Sequence, residues 1–281
     1  MYTIFIFYIY MNMYIYLRIC KRVVYILYYT IKINVVIMNL QLIYEGKSKR
    51  VYARDEDTLI IEFKDDVTAA DGAIKAVALG KGVLTARVSA HLFKLLDKAG
   101  IKTHLIDYDG YRKMFVRRLE IIPVEVIVRN YAYGSLLKRM PLYKPLQKLE
   151  PPLIEFHYKD DDLHDPLVLE EDLIRTQVLD FNILGYIKRT SLKINEILLS
   201  FFSSKNLKFV DIKLEFGISK SKDIVLADEI SGDTFRVLDE NNNHLDKEIF
   251  RRTKDVGLLL KAYLRLAKII DVNIDDVYPA N

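Results

Sequence analysis

Residues 211 to 229 read DIKLEFGISKSKDIVLADE, with charges at alternate positions in the first half. Asp211, Lys213 and Glu215 interleave with Ile212, Leu214 and Phe216, so a strand here has one apolar face and one face made only of charge. If DIKLEF and IVLADE pair as a hairpin turning between Ser221 and Lys222, Glu215 falls opposite Asp228. Like charges placed directly opposite destabilise a sheet by roughly 0.2–1 kcal/mol, and a cation between them removes that cost. Two carboxylates that leave other coordination positions to water and phosphate oxygens suit Mg²⁺ accompanying ATP. SGDTFR follows immediately and adds Asp233 and Arg236.

Three other stretches could carry chemistry. YEGKSKRVY puts Lys47 and Lys49 on one face of a strand that begins just after Gly46. Two ammonium groups beside a glycine turn suit a polyphosphate, although the spacing is not that of a Walker A loop and a lysine-protected edge strand reads the same way. VEVIVRNYAYGSLLKRM passes from an apolar strand through a turn into a helical pattern starting near Ser135. Gly134, Ser135 and Arg129 could together hold a monophosphate; the alternative is an ordinary helix start with Arg129 in a surface pair. EFHYKDDDLHDP clusters Asp160, Asp161, Asp162 and Asp165 around His164, but lacks the Gly and Glu spacing of a calcium loop and reads as a solvated turn closed by Pro166.

The elements that must position these groups follow from periodicity. LIYEGKSKRVYA, TLIIEFKDD, KTHLIDY, KMFVRRLEI and VEVIVRN are short β-rich runs. Val88, Leu92, Leu95 and Leu96 recur at helical spacing over 82–99, with Gly100 placed to end the helix. Helical stretches near 170–203 and 246–270 flank the hairpin region at 209–238. The pattern divides into a first lobe, 38–117, and a second, 118–281, with a cleft between lobes as the default site.

Composition, at 51% hydrophobic and 28% charged over 281 residues, is that of a globular chain with a real core. The formal charge of +4 is contributed by Arg18, Lys21, Arg22 and Lys32, leaving 38 basic against 38 acidic residues from 38 onward. A neutral body argues against a nucleic-acid partner. Residues 1–37 hold 8 of the 19 Tyr and lack Ala, Gly, Pro, Asp and Glu. Their residues share A/T-rich codons, so the stretch resembles translated upstream DNA, with Met38 as the expected start. A membrane anchor is the alternative, but the uncharged run 1–17 is at the short limit of the ~17–25 residues a spanning helix needs. The single cysteine, Cys20, excludes a disulfide framework within the chain and points to a reducing cytoplasm.

YEGKSKRVY, FKDDVTAADG, IPVEVIVRNYAYGS, YKDDDLHDP, VDIKLEFG, LADEISGDTFR and LDKEIFR, in this order over residues 44–251, resemble the SAICAR synthetase (phosphoribosylaminoimidazole-succinocarboxamide synthase) family. The resemblance implies an α+β, two-lobed fold: a small antiparallel-sheet ATP-binding lobe against a larger mixed α/β lobe, with the active site in the cleft. It implies an ATP-dependent ligase of purine biosynthesis that joins L-aspartate to the carboxylate of a phosphoribosyl aminoimidazole through an acyl phosphate. By matching position, Lys47 and Lys49 would meet the ATP phosphates and the backbone near Leu119 the adenine. Glu215 and Asp228 would hold Mg²⁺, and Arg129, Ser135 and Arg236 the ribotide phosphate. Asp211, Lys213 and Asp165 would orient the imidazole and its carboxylate, and Asp233 would accept aspartate's proton. The partners expected are these small molecules, with a homo-oligomer left open and no membrane association. Another carboxylate-amine ligase or a small-molecule kinase would share the lysines and metal acids without needing the arginine set. The chain departs from the family pattern at Gly232, where SPD is usual, at Tyr133, the second alanine of RNxAAGS, and at Thr85, usually Asn.

Overall fold

Antiparallel pairing of short strands builds the first half of the chain. In the computed structural model, residues 40–69 and 72–274 are described, and the apolar extension 1–37 with its alternative starts lies outside them. The chain divides into Met1–Leu42 and a unit spanning Ile43–Asn281 that carries the fold. The first sheet contains β1 (Gln41–Glu45), β2 (Lys49–Ala53) and β3 (Thr58–Phe63), while β4 (Asp66–Ala69) and β5 (Ile74–Val77) pair separately. Helix α1 (Lys81–Lys98) follows, then β6 (Leu105–Tyr108) and β7 (Lys113–Arg117) complete the order β1-β2-β3-β7-β6. Leu84, Val88, Leu92 and Leu96 form the buried stripe of α1, each worth about 1.5–3 kcal/mol of burial, and Gly100 at φ 84° supplies the left-handed exit.

At Arg118–Leu119 the chain leaves that sheet and enters a second. This sheet comprises β8 (Glu120–Tyr131), β9 (Lys148–Tyr158), β10 (Leu167–Val168), β11 (Lys208–Ile218) and β12 (Ile224–Ala227), in the order β10-β9-β8-β11-β12, with β13 (Phe235–Leu238) also on β11. Short helices α2 (Ser135–Arg139) and α3 (Glu170–Arg175) interrupt it. Helix α4 (Phe181–Ser204) is capped by Asp180, whose side chain accepts from Ile183 N, and packs Ile194, Leu198 and Phe202 toward β11. The last helices are α5 (Glu248–Thr253) and α6 (Val256–Ile269). The α+β architecture with antiparallel sheets is as expected from sequence, and no helix of the described residues is long and apolar enough to cross a membrane.

Residues 102–104 add a short parallel bridge to β12: His104 N donates to Leu226 O and Leu226 N to Lys102 O, both at 2.9 Å. This ties the first sheet to the strand that ends beside Asp228.

Two expectations need correction. The hairpin register is shifted by one: Glu215 pairs with Ala227, not Asp228, because the connection is a five-residue loop, 219–223, with Lys222 left-handed at φ 64°. Lys47 does not share a strand face with Lys49. It lies in the β1–β2 turn, closed by Gly46 N donating to Lys49 O at 2.9 Å, and only Lys49 begins β2. The segment before YKDDDLHDP is an 11-residue strand, β9, inside the second sheet.

Candidate active site

The apolar face of β11, with Ile212, Leu214 and Phe216 at 0–1% exposure, faces the core, so alternation turns Asp211, Lys213 and Glu215 to the other side. There the register decides the chemistry. Asp211 lies between Arg129 of β8 and Arg236 of β13, and Glu215 lies opposite Glu125 of β8. The facing carboxylates are therefore Glu215 and Glu125, and Lys213 neutralises them, its Nζ 2.5 Å from Glu125 Oε1 and 3.0 Å from Glu215 Oε1. Lys159, just past β9, pairs with the other oxygen of Glu215. Burial opposes the charge on Lys213, but Glu215 and Glu125 outweigh it and hold its ammonium pKa well above the ordinary lysine value.

Lys213, Glu215, Glu125 and Lys159 open onto a cavity of about 900 Å³ that is also lined by Lys47, Lys49, Asp161, Asp165, Asp228, Glu229, Asp233 and Lys247. Asp228, immediately after β12, takes φ 61°, and its carboxylate meets the Nζ of Lys49. Lys49 also reaches Glu229 Oε1 at 2.9 Å. Burial disfavours both charges in the Lys49–Asp228 pair, yet mutual attraction prevails: the lysine is shifted up and the carboxyl well below the usual carboxylate range. Glu215 and Asp228 thus face one cavity despite the altered register. Lys47 pairs at the rim with Asp161 at 2.8 Å, and Asp165 accepts from Asp160 N at 2.9 Å.

Asp233 is held differently from expectation. One oxygen accepts from Lys81 Nζ and the other from Tyr263 OH, both at 2.6 Å. Although burial raises its pKa, Lys81 and Lys247 outweigh that and keep the carboxyl well below its ordinary value. An anion so stabilised is a weak proton acceptor and serves as the counter-charge of Lys81. Lys247 is the converse case: burial, reinforced by Lys81 and Arg251, lowers its pKa despite Asp233.

The arginine set lies beside the cavity rather than in its wall. Arg129 is 1% exposed, and its guanidinium donates to Asp211 Oδ2 (3.1 Å), Glu155 Oε2 (2.9 Å) and Ser135 Oγ (3.0 Å). Arg236 donates to the same Asp211 oxygen at 2.8 Å and to Glu248 at 3.3 Å, and its guanidinium lies against Gly134, which precedes the exposed Ser135. Arg129 is consequently a buried support, and Asp211 a bridge between two guanidiniums, not a group facing the cavity. Leu119 sits between β7 and β8 against Gly217, where an added Cβ would come within 2.7 Å of it, and does not line the cavity.

Sequence reasoning missed Glu125, Lys159, Glu229, Lys81, Tyr263 and Lys247. Glu125 had a signal, a lone acid in the apolar run VEVIV. The rest depend on long-range pairing. Of the departures, Gly232 leaves room for Tyr263, whose ring would lie 2.9 Å from an added Cβ. Thr85 is 1% exposed within α1, its hydroxyl without a hydrogen-bond partner.

Lysines paired with acids around one cavity, beside a separate arginine cluster, are the equipment of an enzyme that acts on nucleotide and phosphorylated substrates. The chain belongs to the SAICAR synthetase family, whose model matches residues 42–263. It is 51% identical over 234 residues, 83% of this chain and 97% of the relative, to a phosphoribosylaminoimidazole-succinocarboxamide synthase from Caldivirga maquilingensis. A Pyrococcus furiosus protein of the same name is 48% identical, covering 80% of this chain and 95% of that one. Among solved structures, a SAICAR synthetase in complex with ADP superposes with TM-score 0.77 at 44% identity, covering 81% of this chain and 96% of that one. The corresponding synthase from Ehrlichia chaffeensis gives TM-score 0.79 at 39% identity, covering 83% and 99%.

Proposed function

We propose that this chain joins L-aspartate to the carboxylate of 5-amino-1-(5-phosphoribosyl)imidazole-4-carboxylate at the expense of ATP, within purine biosynthesis in the cytoplasm. A carboxylate oxygen attacks the γ-phosphorus of ATP and releases ADP. The aspartate nitrogen then attacks the acyl carbon, and phosphate departs carrying that oxygen while the ammonium protons are lost. The observation that carries this reading is the convergence of Lys49, Lys213, Glu215 and Asp228 on one cavity in a chain of this family.

In this scheme Lys47 and Lys49 meet the ATP phosphates, and backbone near Leu119 the adenine. Lys213 and Asp165 orient the imidazole carboxylate, and Arg236 and Ser135 take the ribotide phosphate, held in place by Asp211 and Arg129. Lys247 offers a cation to the anionic amino acid, and Asp233 fixes Lys81 beside it. Glu215 and Asp228 are two hard oxygen donors lining one cavity, a set that would hold Mg²⁺ together with phosphate oxygens and water. When bound, the ion would offset charge on the transferring phosphoryl group. An ¹⁸O label in the ribotide carboxylate tests the chemistry. The label should appear in released phosphate, and unlabelled phosphate would rule out the acyl phosphate route.

A further inference from the structure

Tyr133 stands in the turn between β8 and α2 at 8% exposure, with one guanidinium over its ring and a second at its hydroxyl edge. The Cζ of Arg236 is 5.2 Å and that of Arg252 5.6 Å from the ring centroid. The hydroxyl accepts from Arg252 and shares a 2.7 Å hydrogen bond with His244 Nε2. His244 Nδ1 in turn lies 2.9 Å from the fully buried carboxylate of Asp246, which also accepts from Val237 N at 2.9 Å. A tyrosine that only filled the core would need one hydrogen-bond partner for its hydroxyl and nothing cationic over its face.

The two arginines carry like charge toward one ring, and Glu248 is the acid that faces both, 3.3 Å from Arg236 Nε and 3.5 Å from Arg252 Nε. Asp211 also holds Arg236 at 2.8 Å but is shared with Arg129, and Glu248 is shared with Arg251 at 3.3 Å, so Arg252 has no carboxylate to itself. Arg252 has 58% of its side chain exposed and Arg236 19%, so a ligand can reach them from solvent. Gly134 lets the Arg236 guanidinium lie on the backbone, where an added Cβ would come within 3.0 Å. A phosphate monoester has three terminal oxygens and up to two negative charges, enough for two guanidinium forks.

We propose that Tyr133 is a positioning residue for the phosphorylated substrate, its ring and hydroxyl holding Arg236 and Arg252 as a two-guanidinium clamp on a phosphate monoester. This rests on the assignment of Arg236 to the ribotide phosphate. Arg252 belongs to the clamp as the second fork, and the His244–Asp246 pair sets the orientation of the phenol.

Steady-state kinetics of Tyr133→Phe, Tyr133→Ala, Arg252→Ala and Arg236→Ala, with inorganic phosphate as a competing probe, test it. Removing the ring should raise the KM for the ribotide about tenfold, and removing only the hydroxyl about threefold. The inhibition constant of phosphate should rise in parallel, while kcat and the KM values for ATP and aspartate stay within about twofold. Tyr133→Phe keeps the packing volume and carries the test if the alanine variant fails to fold. A ribotide KM unchanged in Tyr133→Phe and Tyr133→Ala, while Arg236→Ala raises it, would overturn the role of Tyr133 alone. Loss of kcat without any KM change would also overturn it, as a merely structural effect. If Arg236→Ala itself leaves the ribotide KM and phosphate inhibition unchanged, the phosphate assignment fails, and the clamp with it.

Discussion

Replacing either member of the Lys81–Asp233 pair should destabilise the protein far more than replacing both. The two side chains are 1% and 5% exposed and meet at 2.6 Å, so neither charge is well solvated. Asp233→Asn keeps the volume but leaves the Lys81 ammonium buried with no full counter-charge, a loss of about 3–5 kcal/mol. Lys81→Met keeps the stem and removes the main counter-charge, but Tyr263 OH still donates to the carboxylate at 2.6 Å and Lys247 still attracts it, so the loss should be nearer 2–3 kcal/mol, roughly the cost of one charged hydrogen bond. The double variant removes both charges and should cost only about 1–2 kcal/mol, well below the sum of the singles. Urea unfolding of the four proteins at pH 7 measures this, with equal m-values confirming that the same transition is compared. Losses below about 1 kcal/mol in both singles, or strict additivity, would refute the reading of Lys81–Asp233 as a buried ion pair.

Glu215→Gln should lower turnover at least about a hundredfold, because charge at the phosphoryl-transfer site is lost while shape is kept. Thermal unfolding should move by only a few degrees, since Lys213 retains Glu125 at 2.5 Å and Lys159 is 41% exposed; near-normal turnover would remove Glu215 from the site. His104, 3% exposed with Nε2 lacking a partner and its ring 5.0 Å from Phe93, has its pKa lowered to about 3 by burial. The unfolded chain then binds the extra proton between pH 6.5 and about 3, so stability should fall on acidification across that window, by at most about 1.4 kcal/mol per pH unit. His104→Phe should flatten this slope in urea titrations between pH 7 and 4.5, and an unchanged slope would contradict it. The depressed carboxyls of Asp228 and Asp233 contribute stability above the ordinary carboxylate range and lose it as pH falls below about 4, so they leave the titration between pH 7 and 4.5 intact.

Much of the site was legible because it depends on alternation, which is a local property. The charged face of β11 and the helix over α1 both follow from periods of two or 3.6 residues. The register of the β11–β12 hairpin was not legible, since a two-residue turn and a five-residue loop with a left-handed Lys222 differ by one step and no glycine marks either. Pro151 and Pro152 concealed β9, because proline removes ladder donors and argues against a strand. Arg129 has the sequence context of an anion ligand, but the two acids that enclose it, Glu155 and Asp211, come from strands 26 and 82 residues away. Burial and counter-charge are set by such long-range pairing, so a sequence names the charged residues more readily than it sorts those that face a substrate from those that hold them.

The proposed reaction couples ATP cleavage to amide formation in one cavity. Incubating the protein with ATP, Mg²⁺, the carboxyaminoimidazole ribotide and L-aspartate, and measuring ADP with each component omitted in turn, tests it most directly. ADP should appear together with the succinocarboxamide product in equal amounts, and only when ribotide and aspartate are both present. ADP release indifferent to aspartate, or no product in the complete mixture, would contradict it.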